Sequence, residues 1–137
     1  MAANTTPIFS RVGRINWTNG ITAANTAKDG TGTVDTVFTA DAVEGSYIER
    51  LIVRPRGTNV VSVLRVFLNN GLTNATAANN VLIDEKTLPA TANSEIASLS
   101  GIVVPLNMSL PPGYKINVTL GTAVAGGYAV AGIGGDY

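Results

Sequence analysis

Apolar and polar residues alternate with a period of two along much of this chain. Ile102, Val104, Leu106, Met108 and Leu110 alternate with Val103, Pro105, Asn107 and Ser109. That pattern predicts a strand with one dry face and one mostly wet face. Pro105 has no N–H to give a ladder, so this strand is expected at a sheet edge or at a bulge. Pro111-Pro112-Gly113 breaks it. Tyr114, Ile116, Val118 and Leu120 then alternate with Lys115, Asn117 and Thr119, and a Gly-bounded loop leads into Tyr128 to Ile133. These three strands are expected to form a meander.

The first half is less regular. Strands are predicted at Thr33 to Thr39, Tyr47 to Arg54, Val60 to Leu68 and Val81 to Leu88. Pro7 to Trp17 either adds one more or belongs to an extended N-terminal arm over residues 1–20, with the sandwich domain in residues 21–137. Thr91 to Ser100 is irregular, with a single helical turn expected around Glu95 to Leu99. No stretch repeats at i, i+3, i+4, i+7 over three turns. Turn residues recur every eight to twelve positions or so, as in sandwiches of short antiparallel strands. The expected fold is all-β: a two-sheet antiparallel β-sandwich, jelly-roll-like, with an immunoglobulin-like order as the alternative.

Two strands invite an interface reading. In Val60 to Leu68 both faces are largely apolar, with Val61, Val63, Arg65 and Phe67 on the face opposite Leu64 and Val66. An outer face of this kind either lies under a loop or meets another protein. In the preceding strand Ile48, Arg50, Ile52 and Arg54 are read as one face, with Leu51 and Val53 inward and Arg56 just beyond. Arginine among apolar side chains suits the middle of a protein–protein interface, although surface arginines also lie over apolar neighbours. Arg11, Arg14 and the only tryptophan, Trp17, sit in the N-terminal segment. There Trp17 either anchors a docking arm or plugs one end of the core.

Composition narrows the chemistry. With 137 residues the chain is one ordinary domain by length. It has no cysteine and no histidine, which removes disulfides, Cys-ligated zinc, His-ligated metals and every His-dependent triad. No cofactor or metal is expected, and the carboxylates match no calcium-loop spacing. Asp84 and Glu85 are adjacent, so in a strand they face opposite ways. Nine basic residues balance nine acidic ones, which asks for neither nucleic acid nor an anionic membrane. Met1 to Gly20 has no apolar core of a signal peptide, and no apolar run reaches the length of a bilayer span. The chain reads as a non-enzymatic protein that binds and assembles.

Several phrases spread nearly end to end carry a resemblance: Asn4-Thr5-Thr6-Pro7-Ile8-Phe9, Gly30-Thr31-Gly32-Thr33, Arg54-Pro55 with Gly57-Thr58-Asn59, Leu110-Pro111-Pro112-Gly113-Tyr114, and the ending Gly134-Gly135-Asp136-Tyr137. In them the chain resembles small decoration or cement proteins of tailed bacteriophage virions. The resemblance implies a β-sandwich without enzymatic activity, made in a bacterial cytoplasm and placed on the outer capsid surface. The implied partners are the phage major capsid protein and further copies of the chain itself, as a dimer or trimer. A tail or neck component, and a carbohydrate-binding or host-adhesion module on the same kind of sandwich, are the alternatives. The resemblance carries over no catalytic or ligand residues.

Overall fold

The strands pair into two four-stranded sheets whose order follows from how the chain alternates between them. The computed structural model describes residues 10–137. Its strands are β1 (Val12–Ile21), β2 (Asp35–Thr39), β3 (Ser46–Pro55), β4 (Ser62–Asn69), β5 (Asn80–Leu88), β6 (Ile102–Leu110), β7 (Lys115–Leu120) and β8 (Tyr128–Asp136). The first sheet runs β1-β8-β3-β6 and the second β2-β7-β4-β5, with every named pairing antiparallel. After β1 the chain enters the second sheet, returns for β3, crosses again for β4 and β5, and continues to switch to the end. This is the double Greek-key winding of a jelly roll. An immunoglobulin-like order is excluded by it.

The core lies between the sheets. Leu51, Val53, Val104 and Val130 from the first sheet meet Leu64, Val66, Ile116, Val118 and Leu120 from the second, all essentially inaccessible to water. Gly132 allows the sheets to approach closely at the β8–β2 contact. A Cβ there would lie 2.9 Å from the Val37 carbonyl oxygen and 3.2 Å from the Phe38 Cβ.

Three expectations are corrected by the observed structure. The last three strands form no meander, because β7 lies in the opposite sheet from β6 and β8. Consecutive strands β3 and β4 are likewise in different sheets. The extended arm over residues 1–20 does not hold for its second half: residues 12–20 belong to β1, paired to β8 from Val12 against Asp136 onward. Residues 1–9 lie outside the described residues. No helical turn forms at Glu95 to Leu99; a short 3-10 turn occurs instead at Ala77–Asn79. Pro105 does sit on an edge strand, β6, beside an irregularity in its pairing with β3.

Candidate protein interface

One irregularity decides which residues of β3 reach the surface. Against β8, Ile48 pairs with Gly134 and Arg50 with Ile133, so Glu49 is an extra residue on β3. A bulge of this kind reverses the in–out parity beyond it. Ile48 is therefore buried on the same side as Leu51 and Val53, while Arg50, Ile52 and Arg54 face outward. The alternation expected over Ile48, Arg50, Ile52 and Arg54 thus breaks at the bulge, and Ile48 belongs to the core. Gly134 accommodates the bulge, because a Cβ there would run into the Tyr47 carbonyl oxygen.

The first strand adds a second surprise. On β1 the polar residues Arg14, Asn16 and Thr18 are the more buried set, and Ile15 and Trp17 are 58% and 69% exposed. Arg14 turns toward Asp136, donating from Nε at 2.7 Å and from Nη2 at 2.6 Å. Asp136 also accepts the Ser46 hydroxyl proton, and Ser46 Oγ accepts the Asp41 amide at 2.8 Å. The hydrogen bonds from Arg14 hold the Asp136 carboxyl below the usual carboxylate range, and the same contact raises the Arg14 guanidinium. Burial pushes Asp35 up, partly offset by its bond to Thr18. Inward-pointing charge on an edge strand is a recognised guard against unwanted strand addition.

Among the described residues nothing covers the outer face of the first sheet, and its centre is largely apolar. Trp17 pairs with Ala131, Ala131 with Ile52, and Ile52 with Val103, which places these four residues in one row across all four strands. The adjacent row runs Ile15, Ile133, Arg50 and Pro105. Val103 is 55% exposed. Arg50 bonds its neighbour Glu49 at 3.1 Å, and the Arg54 side chain lies against Gly101. Trp17 does not plug the core; it stands on this face. Arg56 lies at one end of the sheet against Gly20, and Arg11 at the other, donating to the Tyr137 carbonyl.

The opposite outer face is crossed by the chain's own loop. The Asn25 amide donates to the Leu120 carbonyl of β7 at 2.8 Å. Asn80 at the start of β5 donates to the Asp29 carbonyl, and Asn74 to those of Gly30 and Gly32. Residues 22–33 thus bridge from β7 to β5 over β4. Beneath them Phe67, Asn117 and Thr119 are buried although they point away from the core between the sheets. Phe67 is therefore no interface residue. Arg65 is nearly covered and bonds Glu85 at 2.8 Å, and Val63 is half-buried. Val61 is exposed, but it precedes β4 at one end of the sheet. The two predicted interface faces, with Arg50, Ile52 and Arg54 on β3 and Arg65 and Phe67 on β4, therefore lie on opposite sides of the sandwich.

The residues missed from sequence are Ile15, Ala131, Ile133, Val103 and Pro105. The alternation of Ile15 and Trp17 with Arg14, Asn16 and Thr18 was their signal, provided that the apolar side is read as the outer one. A hollow of about 170 Å³ beside Tyr114 and Val81 is smaller than the roughly 300–1,000 Å³ of ligand pockets. No group of three metal-ligating side chains occurs among the described residues, and no helix there is long and apolar enough to cross a membrane.

No protein-family model and no curated protein matches this chain. Among solved structures it is similar to a chain in the structure of infectious bursal disease virus Gt strain, at 15% identity and a TM-score of 0.28. That alignment covers 97% of this chain and 36% of the viral one. A likeness of this size carries no argument about function.

Proposed function

We propose that the chain is a non-enzymatic structural protein of a phage virion that decorates the outer capsid surface and stabilises the shell, acting as a symmetric oligomer on the major capsid protein. The observation that carries this reading is the open face of the first sheet, where two rows of mostly apolar side chains surround Arg50. A largely apolar patch with an arginine inside it has the make-up of a surface that another protein covers. The jelly-roll winding supports the reading by analogy, since it recurs in viral capsid domains, though it also serves lectins. The sugar-binding alternative draws less support. Tyr114 packs against the core and Tyr128 is buried, so neither extends a row of exposed aromatics from Trp17.

Binding only to the assembled lattice would stabilise it by mass action. The test is co-sedimentation of the purified protein with phage heads that lack it, followed by a pressure or heat challenge. Saturable binding at many copies per head, with heads that then resist rupture, is the expected result. Absence of binding to heads would overturn the reading.

A further inference from the structure

We infer that the outer face of the β1-β8-β3-β6 sheet is a homodimer interface, covered by the same face of a second copy. The inference rests on the assembly reading above and deepens it, naming the symmetric oligomer as a dimer and this face as its seam.

The argument is one of self-complementarity. In a two-fold dimer residue i meets j and j meets i. An axis parallel to the strands, between the central strands β8 and β3, lays β1 of one copy over β6 of the other and β8 over β3. Each row then falls on its own reversed copy. Trp17 lies over the partner copy's smaller Val103, and Ile52 enters the gap above Ala131. In the next row Ile15 meets Pro105, and the Arg50 stem lies over Ile133. Large side chains meet small ones throughout the apolar row. The arginines of β3 face β8, whose outward residues Ala129, Ala131 and Ile133 are uncharged, so no arginine is set directly against another.

Size agrees. Four strands at about 4.8 Å spacing and nine or ten residues at about 3.3 Å each give a face of roughly 20 by 30 Å, or about 600 Å² in projection. Side-chain relief makes the accessible area larger, on the order of the 800 Å² per partner of a standard interface. The second sheet offers no equivalent face, because residues 22–33 lie across it.

The experiment is sedimentation equilibrium on the full chain, on Ala131→Arg and on Ile52→Glu. Circular dichroism and melting temperature serve as folding controls. The wild type is expected to be dimeric at tens of micromolar. Each variant, folded as before, should weaken dimerisation by about tenfold or more, the size of effect that loss of central interface packing produces. Because the chain has no cysteine, introduced thiols report geometry without interference. The double variant Trp17→Cys/Val103→Cys should yield cross-linked dimer with a short bis-maleimide, and Trp17→Cys alone should not. A wild type that stays monomeric at those concentrations overturns the inference, as does a dimer indifferent to both substitutions. A chain lacking residues 1–9 that dimerises where the wild type does not would show that the N-terminal segment occupies the face, and would overturn it too. Head binding by wild type and variants is read in parallel. A monomer that still decorates heads sinks only the dimer, whereas a dimer that ignores heads sinks only the capsid role.

Discussion

Arg14 and Asp136, 122 residues apart in sequence, are joined by three hydrogen-bond contacts of 2.6 to 2.9 Å that tie the first strand to the last. This ion pair lies on the inward side of an edge strand whose outer side carries Ile15 and Trp17. It explains how β1 can turn apolar residues to water and still be held in the sheet. Asp136 is tied on by Ser46 as well, so the pair links β1, β8 and β3.

Acid should loosen this corner. Asp136 is held low chiefly by Arg14, and Asp41 is held low by the amides of Glu44 and Val43. Both carboxyls have folded values below their unfolded ones. Their stabilisation is therefore complete above the unfolded carboxylate value near pH 4 and is lost as pH falls through the folded values. Their contribution to the melting temperature should be level between pH 7 and 5 and drop below about pH 4, against an opposite contribution from Asp35, whose carboxyl is pushed up by burial. Asp136→Asn should cost about 1–3 kcal/mol at pH 7, as expected for hydrogen bonds to charged groups, and should flatten the acid limb. An unchanged acid limb in that variant would sink the assignment.

The bulge at Glu49 separates two neighbours that look equivalent in sequence. Ile48→Ala should lose about 2–5 kcal/mol through cavity formation in the core. Arg50→Ala should change stability by no more than about 0.5–1 kcal/mol, since its ion pair with Glu49 is a surface one. Urea titration of both variants decides it: comparable losses would mean that Ile48 is not inside.

Phe67 should behave as a core residue on an outer face. Phe67→Ala is expected to cost about 3–5 kcal/mol. Local loosening of the covering loop should accompany it, seen as faster proteolysis near Lys28. A variant as stable and as protease-resistant as the wild type would mean that residues 22–33 do not cover this side chain.

Charge reversal should have different consequences on the two faces. Arg54→Glu places an acid on the open sheet and should weaken assembly without unfolding the domain. Arg65→Glu instead removes the ion pair with Glu85 and should lower stability while leaving assembly intact. Sedimentation and thermal melts of the two variants separate these outcomes, and identical behaviour would contradict the assignment of the two arginines to opposite sheets.

The sequence by itself determined the class of fold and most strand positions. Period-two alternation at Ile102 to Leu110 and at Ile116 to Leu120 marks strands that are found there, with Val104, Leu110, Ile116, Val118 and Leu120 in the core. It also excluded cysteine and histidine chemistry, which needs no coordinates. Tertiary structure alone decided which apolar residues face water. Alternation is a local property that says two faces differ without saying which one is covered. A single extra residue at Glu49 moved Ile48 inside. A loop from residues 22–33 buried Phe67, and crossing between sheets separated Arg54 from Arg65. The open face of Trp17, Ala131, Ile52 and Val103 comes from strands far apart in sequence, and only their long-range hydrogen-bonded register sets them side by side.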